Sequence, residues 1–167
     1  MKVKLDIPYP KVMVEQKNPY YADLLSQDYA GGVSETTAAL AYSYQHFNTF
    51  KSNEGYSEII KEISIVEMKH LEMLGETIKL LGKEPVYKTC EALRGDCIMW
   101  SASNIVYDND IKDMLKTNIK SEKMVIRNYE HHKSLIDDKY IKEMLSRIIL
   151  DEKRHVEIFE TLLKELN

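Results

Sequence analysis

Glu67-Met68-Lys69-His70 and Glu152-Lys153-Arg154-His155 are the two stretches on which the reading of this chain turns. Each is a Glu followed three residues later by a His, inside a segment with helical periodicity. Residues three apart share a helix face, so each copy presents one carboxylate and one imidazole to the same point. Two such helices side by side offer four ligands around one pocket. One further Glu from each of two other helices would complete the ligand set of a di-metal carboxylate site held inside a helical bundle.

Both motifs sit in the middle of apolar stripes. Glu67 is one heptad from Ile60 and from Leu74, and His70 is one heptad after Ile63. Leu145 and Phe159 bracket Glu152 in the same way, and Ile148 and Leu162 bracket His155. A charge set among apolar neighbours needs a partner. A single Glu-x-x-His on a charged helix is ordinarily a solvated pair, but two copies, both mid-stripe, are not ordinary. Of the five histidines, only His70 and His155 have a Glu three residues before them. His46, His131 and His132 read as structural or surface residues.

Glu35 and Glu122 supply the two missing carboxylates. Glu35 lies 32 residues before Glu67, and Glu122 lies 30 before Glu152. Each has a tyrosine seven residues on, Tyr42 and Tyr129, one heptad along the same face. The two halves of the chain thus repeat the order Glu, Tyr, Glu-x-x-His. The metal ligands expected from this pattern are Glu35, Glu67, His70, Glu122, Glu152 and His155, with Tyr42 and Tyr129 ordering the carboxylates.

The rest of the chain supplies the scaffold. Its 167 residues suit one domain with a substantial core. Acidic residues outnumber basic ones, 27 to 23, which gives no reason to expect nucleic acid or an anionic membrane as partner. The prolines at 8, 10, 19 and 85 fall outside the most helical segments, as an all-α chain requires. Residues 1–19 read as an extended arm along the surface, and residues 20–167 as the bundle domain. The first helical stretch spans about Tyr20 to Phe50 and contains Gly31-Gly32, each costing a helix about 1 kcal/mol relative to Ala. Those glycines either break the helix, with Ser34 capping a fresh start, or leave a bare surface for close packing or an opening to the interior.

The second helix is expected from about Tyr56 to Leu81, stopped by Gly82 with Pro85 beyond. A long connection over 83–107 has room for one or two helical turns. The third and fourth helices are expected at about Asp110–Leu135 and Lys139–Leu166. Two hairpins joined by one long crossover between helices 2 and 3 make the ferritin-like form of the four-helix bundle. Met68, Met73, Met114, Met124 and Met144 read as core filler. Cys90 and Cys97, seven apart, form no C-x-x-C motif and read as small apolar residues in a buried connection. No stretch approaches the roughly 18 apolar residues of a membrane span, and the amino terminus has no signal-peptide run. The expectation is a cytoplasmic protein.

Four carboxylates and two imidazoles suit two divalent ions, iron or manganese. Two glutamates, one from each half, would bridge them. Such a centre cycles by two electrons and suits reaction with peroxide or dioxygen.

The chain resembles the ferritin-like di-metal superfamily, and two of its branches in particular. The half carrying Glu122, Tyr129 and Asp151-Glu152-Lys153-Arg154-His155 is similar to the di-iron domain of rubrerythrin. Tyr9-Pro10, Asn18-Pro19, Gly31-Gly32 with Glu35, and the run Glu67 to Leu74 are similar to manganese catalases and their short spore-coat relatives. Rubrerythrins carry an extra Glu three residues after the helix-3 ligand, where this chain has Val125, and a rubredoxin tail that it lacks. A peroxidase of that type would need a separate small redox protein as electron donor. In manganese catalases the Glu of the second Glu-x-x-His can handle protons, so Glu152 has two candidate roles, ligand or proton carrier.

The resemblance implies an oxidoreductase acting on hydrogen peroxide, by peroxidase action or by disproportionation, in a homodimer or higher homo-oligomer. The alternatives are a ferritin-type ferroxidase that stores iron in a 24-subunit shell, and a spore-coat-like component braced by metal.

Overall fold

The computed structural model describes residues 2–90 and 96–166. The first bundle helix is delivered in two pieces, α1 (Pro19–Ala30) and α2 (Glu35–Thr49). Pro19 stands at the first turn of α1, where its missing N–H costs nothing, and the Asn18 side chain accepts from the N–H groups of Tyr20 and Tyr21. The chain breaks at Gly31, where a Cβ would lie only 2.5 Å from the Gln27 carbonyl oxygen. Ser34 then caps α2 by accepting from the Thr37 N–H, a device worth about 1 kcal/mol. Of the two readings of the glycine pair, the broken helix is the one adopted.

The second bundle helix is α3 (Glu54–Leu80), started by the Asn53 cap. It ends ahead of Gly82, whose φ of 97° lies in the left-handed region that favours glycine. The third is α4 (Ile111–Leu135), capped by Asp110, and the fourth is α5 (Lys139–Glu165), capped by Asp138. The boundaries agree with the sequence periodicity to within about a turn. α2 pairs with α3, and α4 with α5, as hairpins. No described helix is long and apolar enough to cross a membrane.

The crossover differs from expectation. Besides a single 3-10 turn (Ala102–Asn104), it carries a two-stranded antiparallel ribbon, β1 (Lys88–Cys90) with β2 (Cys97–Met99). Residues 91–95, inside the expected connection, lie outside the described residues. Cys90 and Cys97 face each other across the ribbon and are joined in a disulfide, with Cα atoms 4.1 Å apart. They are therefore not two independent apolar fillers: strand pairing set them opposite each other, a relationship that spacing alone does not reveal. Trp100 closes the crossover onto α2 by donating its indole N–H to Thr37.

Two apolar clusters flank the middle of the bundle. One gathers Leu25, Leu74, Leu81, Tyr129, Ile141 and Leu145; the other gathers Ile60, Ile63, Met114, Leu115 and Phe159. The repeated motifs fall between them. Met73, Met114 and Met144 are buried as expected, but Met68 is 51% exposed and fills no core. It shares a helix with Glu67 yet points the other way, since successive helix positions are rotated by about 100°.

The amino-terminal stretch does more than follow the surface. Val3 is buried in the second cluster. The Leu5 N–H donates to Asp151, Arg147 donates to the carbonyls of Leu5 and Ile7, and the Glu15 N–H donates to Asp138. These bonds lay the segment against α5 and carry Tyr9 to the centre of the bundle.

Candidate metal centre

Glu35, Glu67, His70, Glu122, Glu152 and His155 converge, and none is more than 1% exposed. Glu35 opens α2, Glu67 and His70 sit mid-α3, Glu122 mid-α4, and Glu152 and His155 mid-α5. They fall into two overlapping sets. Glu35, Glu67, His70 and Glu152 bring one ligand atom each within 4.8 Å of one another, and so do Glu67, Glu122, Glu152 and His155. Glu67 and Glu152 belong to both. Two cations held there would share Glu67 and Glu152, and each would have a further Glu and a His of its own.

The Nδ1 atoms face this centre. His70 Nδ1 lies 3.1 Å from Glu67 Oε2 and 2.9 Å from Glu152 Oε1. His155 Nδ1 lies 2.9 Å from Glu67 Oε1 and 3.0 Å from Glu152 Oε2. One ring proton cannot serve two carboxylates. Glu67 Oε1 and Glu152 Oε1 are buried without a hydrogen-bond donor among the described residues. Orphaned oxygens of this kind at the middle of a bundle are what a bound cation satisfies. The donor set therefore fits a pair of divalent ions.

Proton affinities show what the groups do when no cation is near. Burial, reinforced by the charges of Glu152 and Glu67, raises Glu35 and Glu122 well above the usual carboxylate range. Burial acts the same way on Glu67, but His155 and His70 beside it overcome that and hold it low. Burial disfavours the charged imidazolium of both histidines, yet Glu152 and Asp151 around His70, and Glu67 and Glu152 around His155, raise them well above the ordinary value.

Tyr42 donates its hydroxyl to Oε1 of Glu122, and Tyr129 donates to Oε1 of Glu35. Both phenols are fully buried, and burial together with the facing carboxylate pushes each well above its ordinary value, so each stays a donor. The heptad spacing put each tyrosine on the same face as the glutamate of its own helix, without saying which carboxylate it orders. In the fold each serves the other half's.

Three further residues were given no role at the site from the sequence. Asp151 is fully buried, with Oδ2 3.3 Å from His70 Nε2. Tyr9 donates to the same oxygen at 2.6 Å and lies 3.5 Å from His70 Nε2. Arg147 pairs with Asp151 at 2.9 Å and lies 4.4 Å over the Tyr9 ring. Although burial works against it, hydrogen bonds from His70, Tyr9 and Arg147 hold Asp151 low. A carboxylate behind a histidine fixes the ring and its tautomer, leaving Nδ1 free to ligate. On the other half the position equivalent to Asp151 is Val66, and His155 Nε2 has no hydrogen-bond partner among the described residues. The two cation positions are therefore unlike. One signal was available in the sequence: Arg147 and Asp151 form an i, i+4 pair within the stripe that carries Glu152.

His132 is buried with Asp28, their atoms 2.7 Å apart, and His46 bonds Ser57, so both are structural, as expected.

A helical bundle enclosing a buried cluster of four carboxylates and two imidazoles defines the class of this protein: a helical bundle with a carboxylate-histidine cluster able to hold metal. The chain belongs to the ferritin-like domain family, whose description matches residues 33–167. It is 26% identical over 172 residues to a probable manganese catalase of Clostridium acetobutylicum, covering 93% of this chain and 76% of that protein. It is 23% identical over 184 residues to a manganese catalase of Bacillus subtilis, covering 91% of this chain and 66% of that one. Among solved structures it is similar to a manganese catalase from Anabaena, with a TM-score of 0.85, 27% identity, and coverage of 99% of this chain and 81% of the other. It also resembles a bacterioferritin of Desulfovibrio desulfuricans, with a TM-score of 0.70, 21% identity, and coverage of 89% and 84%, a likeness of fold alone.

Proposed function

We propose that this protein disproportionates hydrogen peroxide at a dimanganese centre held by Glu35, Glu67, His70, Glu122, Glu152 and His155. The observation that carries the reading is the pair of overlapping ligand sets sharing Glu67 and Glu152. The similarity to proteins named manganese catalase favours manganese over iron, and disproportionation over a donor-fed peroxidase.

When bound, the two ions supply a store for two electrons, taken from one peroxide and given to the next. One peroxide leaves as dioxygen and the other as two waters, so no outside reductant is consumed. The chain's part is to hold the ions, to exclude bulk water and to keep protons until they are needed. Glu35 and Tyr129 make one anchored carboxylate–phenol pair, and Glu122 and Tyr42 make the other. A phenol that donates to one oxygen fixes its carboxylate and leaves the remaining lone pairs for a cation. The first peroxide releases two protons and the second takes up two; Glu152, common to both ligand sets, is assigned to carry one of them, and the other exchanges with solvent. Asp151, Tyr9 and Arg147 orient His70.

The test is oxygen evolution from hydrogen peroxide alone, with purified protein and no added donor. Oxygen released at half the molar amount of peroxide consumed supports the reading. Peroxide loss only when a reduced redox protein is supplied, or iron uptake with no peroxide turnover, would replace it with the peroxidase or the storage reading.

A further inference from the structure

The crossover ribbon places its disulfide unevenly against the bundle. Side chains two apart on a strand share a face, so Lys88 and Cys90 project together from β1, and strand pairing sets Cys97 of β2 opposite Cys90. β1 lies against α1. Cys90 is 7% exposed, and its N–H donates to Ser26 Oγ at 3.0 Å, so this half of the disulfide is pinned to α1. Ser26 is held in turn by donating to the Asp23 carbonyl at 2.7 Å. All of β2 is exposed, Cys97 with it. One sulfur therefore belongs to a buried, fixed residue and the other to an accessible one.

Both cysteines line a pocket of about 270 Å³ between α1, the end of α3 and the ribbon. Ala22 and Ile78 give it an apolar floor, and Asp23, Lys83, Glu84 and Lys88 give it charges. Three of those four charges are already paired, Lys83 with Asp23 and Glu84 with Lys79. Lys88 is partly buried and has no ion-pair partner among the described residues. A partly desolvated ammonium beside an apolar floor is a place for the carboxylate of a ligand. None of these residues is a ligand of the metal centre, and none has a part in the chemistry proposed there.

We propose that this pocket is a thiol–disulfide exchange site for a carboxylate-bearing small thiol, with Cys90–Cys97 as the reacting disulfide and Lys88 as the carboxylate's partner. The thiolate of the bound molecule attacks Sγ of Cys97, the accessible sulfur. A mixed disulfide forms there, the Cys90–Cys97 bond breaks, and Cys90 leaves as a thiolate and takes up a proton. A second small thiolate then attacks the small molecule's own sulfur in the mixed disulfide. The small disulfide departs, and Cys97 takes up a proton in its turn. One protein disulfide and two small thiols thus give one protein dithiol and one small disulfide. The reverse sequence re-forms the protein bond, with the small disulfide as oxidant, so the couple needs no other electron carrier. The site stands independently of the metal-centre reading.

The test follows reduction of the Cys90–Cys97 disulfide in the full, metal-loaded chain, by intact mass after alkylation. Glutathione, which carries carboxylates, is compared with cysteamine, which carries none. The rate is expected to saturate with glutathione and to stay linear in cysteamine. S-methylglutathione, which can fill the pocket but cannot exchange, is expected to slow the glutathione reaction. Lys88→Glu is expected to abolish saturation and to slow reduction by glutathione about tenfold or more, the loss of one charge-assisted hydrogen bond, with a far smaller effect on cysteamine. In Cys90→Ser, oxidised glutathione is expected to modify Cys97 readily. In Cys97→Ser, modification of Cys90 is expected to be slower by about tenfold or more, because access governs exchange. A rate linear in glutathione, no effect of S-methylglutathione, or equal glutathione rates in the parent and Lys88→Glu would overturn the proposal. Equal modification of the two cysteines would overturn Cys97 as the attacked sulfur. Oxygen release from peroxide reports on the metal centre alone, so exchange without turnover, or turnover without exchange, separates the failure of one reading from that of the other.

Discussion

Tyr42, on the first half of the chain, gives its hydroxyl proton to Glu122 on the second, and Tyr129 returns the arrangement by donating to Glu35. The two halves are thereby cross-linked at the metal centre itself. Replacing Tyr42 or Tyr129 by Phe removes the donor but keeps the ring. Each change is expected to weaken metal binding by about tenfold to a hundredfold. The Tyr42→Phe loss falls on the Glu122 position and the Tyr129→Phe loss on the Glu35 position. Competition with a graded series of chelators measures this, and equal losses at both positions in each variant would refute the crossed pairing.

Asp151 makes the two positions inequivalent. Asp151→Asn keeps a polar group behind His70 but removes the charge that stabilises the Nε2 proton and pairs with Arg147. One of the two ions is then expected to bind about tenfold to a hundredfold more weakly, with the other unchanged. Stepwise metal titration would show two separated transitions where the parent shows a narrower pair. Tyr9→Phe acts on the same carboxylate and is expected to produce the same asymmetry in milder form.

Stability should depend on pH in opposite senses with and without metal. In the metal-free protein Glu35, Glu122, His70 and His155 all have raised proton affinities. A raised group contributes stability in full below its unfolded value, about 4.3 for Glu and about 6.5 for His, and loses it as pH rises through the folded value. Over that range the folded state holds more protons than the unfolded one, so the Tm of the metal-free protein falls from pH 6 to pH 9. Glu67 and Asp151, held low, act at the acid end, where their contribution is lost as pH falls below about 4. Metal displaces the extra protons, so metal affinity rises with pH and the loaded protein escapes the alkaline loss. Melting curves at several pH values, with and without manganese, check this. A metal-free Tm that rises with pH would contradict the assignment of protons to the centre.

The Cys90–Cys97 disulfide belongs to the crossover ribbon, away from the ligand helices. Cys90→Ser with Cys97→Ser is expected to lower stability by about 2 kcal/mol, through the released loop, and to leave metal content unchanged. Denaturant unfolding together with elemental analysis tests it, and loss of metal in the double variant would show that the ribbon holds the centre.

The convergence of the six side chains was legible because a repeated chemical pattern fell at the same phase of repeated apolar stripes. Ile60 and Leu74 around Glu67, and Leu145 and Phe159 around Glu152, put the charged residues inside before any fold was drawn. Helix ends were legible from Ser34, Gly82, Asp110 and Asp138. What periodicity could not express was contact between halves. The Tyr42–Glu122 bond spans 80 residues and Tyr9–Asp151 spans 142. Tyr9 stands in a proline-flanked segment with no period to place it. The ribbon and its disulfide were missed because two three-residue strands leave too short a run for an alternating pattern to register.

The proposed centre of six side chains holds two ions. Its most direct measurement is elemental analysis of protein purified from manganese- and iron-replete cells, beside Glu67→Ala, which removes a ligand common to both positions. Close to two ions per chain, chiefly manganese, are expected in the parent, with loss of both in the variant. Absence of metal from the parent, or equal content in parent and variant, would contradict it.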